Sequence, residues 1–171
     1  MQMPELVSLV DIADYHADAD ASLRSYFSKT SPTYTARFAV YLPSEVTAEL
    51  SGRIDETDLR STLVLLARVE AALRKDYIAR AQGKSSDDIS IEFRKIYRQR
   101  GRRARLEEDI LETWKSALQN PEREIMSQLK GMLKFRHWLA HGRYWNVGSN
   151  YKFQDAYIVA DAVITNILPA Y

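Results

Sequence analysis

The sequence predicts an all-α protein, an up-and-down bundle of four or five main helices with an N-terminal helical extension. Three observations lead to this prediction. Apolar residues recur at intervals of three and four through most of the chain, which is the period of an amphipathic helix. Glycine and proline fall mainly where these periodic segments end. The one alternating segment, residues 34–42, has no clear second segment with which it would pair as a strand.

The extension is predicted to comprise residues 1–52 of a single domain. A weak helical period covers residues 5–28. We interpret residues 34–42 as a short helix or an extended arm. Ser44 is expected to cap another short helix that ends at Gly52.

The helical core is predicted for residues 55–168. Its clearest helix begins at Asp55 and Asp58 and ends just before Gly83. The apolar stripe of this helix consists of Leu59, Leu63, Leu66, Ala67, Leu73 and Tyr77. Glu70 falls in the middle of that stripe, which is an unusual place for a carboxylate unless a cation faces it.

A long helix from about Ile89 to Gln119, kinked at Gly101, is predicted next and carries the densest charge cluster. Seven of twelve consecutive residues are basic, namely Arg94, Lys95, Arg98, Arg100, Arg102, Arg103 and Arg105. Two interpretations are open. The cluster is either a solvated face with Arg–Glu pairs, or a phosphate-contacting patch in which Arg98 and Arg102 bind RNA.

A further helix is predicted from Pro121 to His141, with Asn120 as its cap and Gly142 as its stop. Ile125, Leu129, Met132, Leu133, Leu139 and Ala140 form its core stripe. Arg136 falls in the middle of the stripe. A guanidinium group among apolar side chains is costly unless it is paired or lines a cleft, so Glu70 is its predicted partner.

After this helix the sequence is rich in aromatic residues, and a last helix is predicted from Phe153 to Leu168. Arg143, Tyr144 and Trp145 are candidate RNA contacts, since aromatic rings stack on unpaired bases. The alternative is that these rings seal the end of the bundle. His137 is interpreted either as a wall residue of the same site that contacts RNA, or as a surface histidine.

Composition narrows the classes of function. Of the 171 residues, 46% are hydrophobic and 27% are charged, and no segment matches a signal peptide or a membrane span, so we expect a cytoplasmic protein. The net charge of +1 means that any nucleic-acid binding must come from local patches. There is no cysteine, and although His137 and His141 have the spacing of metal ligands, no third ligand accompanies them. No metal or other cofactor is therefore expected.

The segment Arg136-His137-Trp138-Leu139-Ala140-His141 resembles the Arg-x4–6-His motif of the HEPN superfamily (higher eukaryotes and prokaryotes nucleotide-binding domains). This family consists of small all-α domains, often dimeric. Many are metal-independent endoribonucleases in toxin–antitoxin, phage-defence and RNA-processing systems. The resemblance implies that Arg136 and His141 are catalytic, that Glu70 orients Arg136, and that the substrate is RNA.

The resemblance also implies a two-fold homodimer with the motif helices facing each other, and an antitoxin or another regulatory protein as a possible partner. Five residues turn a helix by about 140°, so Arg136 and His141 point in different directions on one helix. In a dimer, the histidine of one subunit would work beside the arginine of the other.

Two other interpretations are open. The family often has asparagine directly after the arginine, where this chain has His137. That departure is compatible with a HEPN-like domain that binds a nucleotide, RNA or a protein partner without cleaving. In the third interpretation the chain is a plain interaction module, and Arg136 and Glu70 are a structural pair.

Overall fold

The computed structural model describes residues 7–141 and 151–168, and within them the chain is helical with no strand, which confirms the predicted all-α class. The α-helices are α1 (Leu9–Tyr26), α2 (Tyr34–Phe38), α3 (Pro43–Gln82), α4 (Asp88–Arg100), α5 (Glu112–Ala117), α6 (Glu122–Ala140) and α7 (Phe153–Ala162). A 3-10 turn, Gly101–Arg103, follows α4, and π-helical segments precede α5 (Leu106–Leu111) and extend α7 (Val163–Ile167). None of the described helices is long and apolar enough to cross a membrane.

The 40-residue helix α3 is continuous, so the prediction of a helix end at Gly52 and a new start at Asp55 is wrong. Gly52 is exposed, and a Cβ there would meet nothing within 4 Å. A single exposed glycine costs a helix only about 1 kcal/mol, which the packing on either side outweighs. The helix begins where the Leu42 amide donates to the Glu45 carboxylate at 2.7 Å, and Ser44 does not cap it. The predicted boundary between extension and core therefore falls inside α3.

Helices α1, α4, α6 and α7 all pack against α3. The most deeply buried apolar residues of α3 are Leu65, Leu66, Val69, Ala72, Leu73 and Tyr77. Leu59, Leu63 and Ala67 of the predicted stripe are only partly buried. The buried face of α3 is therefore centred closer to Leu65 and Val69 than the predicted stripe, because helices pack against α3 from several sides.

A second, smaller cluster lies at the N-terminal end of α3. Phe27, Phe38 and Val46 are its buried members, and Leu23, Tyr34, Tyr41 and Leu50 pack against them. It shares no buried residue with the main core. Residues 34–38 are helical, in agreement with the first of the two interpretations of segment 34–42.

The predicted long helix from Ile89 to Gln119 is wrong, because α4 ends at Arg100. Gly101 has φ of +56°, a conformation outside the helical region, and the chain continues through the 3-10 turn and a π-helical segment into α5. The Tyr77 hydroxyl donates to the Gly101 carbonyl at 2.8 Å, which ties this break to α3. The glycine predicted to kink a helix instead ends it.

Helix α6 agrees with its predicted span to within one residue at each end, and His141 is the first residue after it. The predicted cap is wrong, since Pro121 occupies the capping position and no side chain caps this helix. Its buried residues are Met126, Leu129, Met132, Leu133, Phe135 and Leu139. The predicted stripe was right for four of them, but Ile125 is only partly buried and Ala140 is exposed. The last helix leaves α-helical geometry after Ala162, and its predicted final turn is π-helical.

We expect Gly101→Ala to lower the free energy of unfolding by about 1–3 kcal/mol, because φ of +56° strains any residue that carries a Cβ. Gly52→Ala is the matched control, since a Cβ meets nothing within 4 Å at either position. Inside α3 the alanine should raise the free energy of unfolding by about 0.5–1 kcal/mol. Urea unfolding of both variants measures the two changes, and changes of the same sign would contradict this account.

Candidate active site

Arg136 of α6 and Glu70 of α3 form an ion pair where these two helices pack. Nη2 of Arg136 lies 3.3 Å from Oε2 of Glu70. The Arg136 side chain retains 31% of its exposure and the Glu70 side chain 18%. The predicted pair is therefore present, and it lies at the edge of the core rather than inside it.

Glu70 holds a second arginine, Arg74, which was not among the predicted site residues. Its Oε1 accepts a hydrogen bond from Nε of Arg74 at 2.9 Å, one turn further along α3. The spacing of four residues is the signal that could have found this partner. Nη1 of Arg74 also donates to the Ala104 carbonyl at 3.2 Å, so Arg74 links the pair to the segment after α4.

The guanidinium group of Arg136 is only partly satisfied. Its Nε is buried and has no hydrogen-bond partner among the described residues. A buried donor without a partner costs about 1–3 kcal/mol, which offsets much of what the ion pair contributes. The pair therefore fixes the position of Arg136 more than it stabilises the fold.

Arg136 opens onto a cleft of about 340 Å³ between α3, α6 and the π-helical segment before α5. The cleft is lined by Glu70, Arg74, Leu106, Glu107, Glu108, Leu133, Arg136 and His137. Glu107 and Glu108 were not predicted to belong to the site, because the broken helix that brings them there was predicted to be continuous. The cleft thus combines two arginines and a histidine with three carboxylates.

His141 is exposed at the end of α6 and is not among the residues that line the cleft. Its ring centroid lies 4.2 Å from that of His137, one turn earlier on the same helix. His137 does line the cleft. The two histidines therefore form a continuous edge from the cleft of Arg136 to the end of α6.

The remaining predicted site residues are not gathered at the cleft. Arg98 and Arg102 are exposed near the end of α4 and in the 3-10 turn, and neither lines it. Arg143, Tyr144 and Trp145 lie outside the described residues, as does Gly142.

Other parts of the described structure offer weaker candidates for a site. A larger cleft of about 610 Å³ lies between α4 and α5, but the charged residues that line it, Asp88, Glu92 and Glu112, are all acidic. Such a surface repels phosphate. In residues 7–141 and 151–168 no group of three or more His, Asp or Glu side chains is placed to hold a metal ion.

His16 of α1 makes a polar link that no local spacing in the sequence signals. Its ring stacks on Phe153 of α7 with the centroids 4.0 Å apart. Nδ1 lies 3.2 Å from Oγ of Ser61, and Nε2 lies 3.3 Å from Oδ1 of Asp58. Burial raises the pKa of Asp58, and the nearby His16 opposes that rise.

These are the residue types of a serine hydrolase, but the surroundings do not fit that chemistry. Ser61 is only 6% exposed, and its position inside α3 leaves no free backbone N–H groups to stabilise an oxyanion. The link therefore joins α1, α3 and α7 as part of the fold.

No protein family model matches this chain, and neither the curated proteins nor the solved structures contain a significant match.

Because two arginines share Glu70, removing the Glu70 charge should lower the free energy of unfolding more than removing Arg136 does. Glu70→Gln should lower the free energy of unfolding by about 1–2 kcal/mol, because two neighbouring guanidinium groups lose their common anion. Arg136→Met keeps the apolar stem and leaves Glu70 paired with Arg74, so its cost should stay below about 1 kcal/mol. Urea unfolding of the two variants measures both values.

Glu49→Gln is the control, since Glu49 is shared in the same way by Arg37 and Arg53, whose side chains are 40% and 48% exposed. The partners of Glu70 are only slightly less exposed, at 40% for Arg74 and 31% for Arg136, so the cost of Glu49→Gln should be only slightly smaller than that of Glu70→Gln. A larger loss for Arg136→Met than for Glu70→Gln would show that the arginine, and not the shared carboxylate, is the stabilising partner.

Proposed function

We propose that this chain is a HEPN-like, metal-independent endoribonuclease whose site combines Arg136 and His141. The observation that carries the proposal is the placement of Arg136, which Glu70 fixes at 3.3 Å while the side chain remains accessible from an open cleft. A cation that is held in advance at an accessible position suits the stabilisation of a phosphoryl group in a transition state. A purely structural pair would need no cleft.

In the proposed reaction His141 acts first as general base. It takes the proton of a ribose 2′-hydroxyl, and the 2′-oxygen attacks the adjacent phosphorus while Arg136 neutralises charge on the phosphoryl oxygens. The bond from phosphorus to the 5′-oxygen then breaks, and His141 returns a proton to that oxygen. The products are a 2′,3′-cyclic phosphate and a 5′-hydroxyl end. Glu70 is a positioning residue, since it acts through Arg136.

The separation of the two residues supports a site shared between two subunits. Arg136 opens onto the cleft, whereas His141 lies exposed at the end of α6 and outside the lining of that cleft. His137, Ala140 and His141 form an exposed end of α6. Two copies that meet there around a two-fold axis would bring the histidine of one beside the arginine of the other.

One observation favours the protein-binding form of the second candidate function, a domain that binds a nucleotide, RNA or a protein partner without cleaving. Glu107 and Glu108 line the same cleft as Arg136. Their charge weakens the attraction of the cleft for a phosphodiester. A partner with its own cationic group would be accepted more readily.

The proposal predicts cleavage of single-stranded RNA by the purified protein in EDTA, leaving 2′,3′-cyclic phosphate ends. His141→Asn should slow cleavage by roughly 10²–10⁴-fold, the usual contribution of a general acid–base group. Arg136→Gln should slow it by roughly 10²–10³-fold, because a charge-stabilising donor is lost. Single-turnover rates and mass analysis of the product ends measure both effects.

Lys134→Gln is the control, because Lys134 is exposed on the same helix and does not line the cleft. Its rate should equal that of the wild type. Equal rates for wild type and His141→Asn would contradict the proposal. RNA binding by a wild-type protein that leaves the RNA intact would favour the second candidate.

The shared site makes a sharper prediction for mixed dimers. Arg136→Gln and His141→Asn subunits, unfolded together and refolded at equal concentration, should recover roughly a quarter of the wild-type rate, since half of the dimers are mixed and each has one intact site of two. If the site lay within one subunit, every mixed dimer would be inactive. A mixture no faster than its separate components would therefore contradict the shared site.

A further inference from the structure

The structure divides six of the seven basic residues of segment 94–105 into two groups and leaves Arg94 between them. Lys95, Arg100 and Arg105 have acidic partners. Lys95 lies 2.8 Å from Glu92, while Arg100 and Arg105 lie 3.4 and 3.5 Å from Asp109. Burial alone would raise the pKa of Asp109, but the Arg105 amide and the two guanidinium groups hold that pKa below its usual value.

Arg98, Arg102 and Arg103 form the other group, which we call the arginine strip. All three are exposed. In the part of the chain that the structure describes, none of them makes an ion pair or a side-chain hydrogen bond. Arg94, one turn before Arg98, also lacks an acidic partner there, and its guanidinium donates to the Gly83 carbonyl at 3.3 Å.

The strip lies on a backbone that is held from both sides. Tyr77 donates to the carbonyl of Gly101, directly before Arg102, at 2.8 Å. Arg74 donates to the carbonyl of Ala104, directly after Arg103, at 3.2 Å. Ala104 itself is buried. The 3-10 turn therefore presents Arg102 and Arg103 at fixed positions, and Arg74 connects the turn to the cleft of Arg136.

Within residues 7–141 and 151–168, no ion pair or side-chain hydrogen bond uses these three charges. Neighbouring cations repel one another, and the strip has no described carboxylate to offset the repulsion. A bound polyanion would relieve it. All three residues are arginines, whose planar group binds phosphate through two parallel hydrogen bonds, whereas the one lysine of the segment is paired.

We infer that the arginine strip binds the phosphates of a single-stranded RNA outside the cleft, beside the segment that Arg74 links to Glu70. The choice of RNA over another polyanion rests on the proposed function. Arg98, Arg102 and Arg103 do not line the cleft of Arg136, so the strip contacts flanking phosphates and not the one that is cleaved. The strip consequently contributes to binding and not to the chemical step.

The test measures how binding depends on salt. Each phosphate contact made by a cation adds about 0.7 to the slope of log Kobs against log salt concentration for a single strand. The triple variant Arg98→Gln, Arg102→Gln, Arg103→Gln should therefore reduce the magnitude of that slope by about 2. The probe is a fluorescein-labelled 2′-O-methyl uridine 12-mer, which has the phosphates but no attacking hydroxyl, and anisotropy in increasing KCl gives Kobs.

The matched control is Arg24→Gln, Arg53→Gln, Arg60→Gln, which removes the same charge from exposed arginines that are already paired within α1 and α3. Its slope should differ from the wild-type value by less than about 0.7, which is the change expected for the loss of one phosphate contact. With cleavable RNA, the strip variant should raise KM and leave kcat unchanged. Thermal unfolding checks both variants, and if the strip triple is unfolded, single replacements of Arg98 and Arg102 should each reduce the slope by about 0.7.

An unchanged slope for folded strip variants overturns the inference. So does a wild-type protein that binds polyglutamate but not the RNA, since the strip would then serve an acidic protein. The outcome is separate from that of the proposed function. If the strip variant reduces the slope but the wild-type protein never cleaves RNA, the inference about the strip is supported and the proposed nuclease is rejected. If cleavage depends on His141 but the strip variant leaves the slope unchanged, the nuclease is supported and the inference about the strip is rejected.

Discussion

The packing of four helices against one helix, α3, is the constraint on which the described structure depends. Its buried residues, from Leu65 to Tyr77, contact partners on several sides, and the other α-helices of ten or more residues all lie against it. Burying such a face contributes about 1.5–3 kcal/mol for each large apolar side chain, so the face as a whole outweighs any single polar contact. The positions of the remaining elements follow from this one surface.

Polar residues on α3 hold the groups of the candidate site in position. Glu70 and Arg74 face α6 and the segment after α4, and Tyr77 fixes the carbonyl of Gly101. The cleft, its arginine and the neighbouring 3-10 turn are thus positioned by groups within two turns of a single helix. A rigid helix is a better support for a preorganised charge than a loop would be.

Features that depend on one helix could be predicted from the sequence, and features that depend on contacts between distant segments could not. The pairing of Arg136 with Glu70 followed from two charges centred on apolar stripes, and the span of α6 from its period.

Gly52 and Gly101 carry the same local signal, yet the first lies within a helix and the second ends one, because only Gly101 is held at positive φ by contacts with α3. Which arginines of segment 94–105 are paired depends on Asp109, which the unpredicted break of the helix brings back towards them. The contact of His16 with Ser61, 45 residues apart, has no local signal at all.

The small cluster around Phe27, Phe38 and Val46 has a consequence for how the molecule opens. Because it shares no buried residue with the main core, it can separate while the core stays intact, in a subglobal unfolding event. The free energy of such an event is set by a few side chains and is well below that of global unfolding. Amide hydrogens of α2 and of the first turns of α3 should therefore exchange with solvent sooner than those around Leu65, so that one unbroken helix contains two cooperative units.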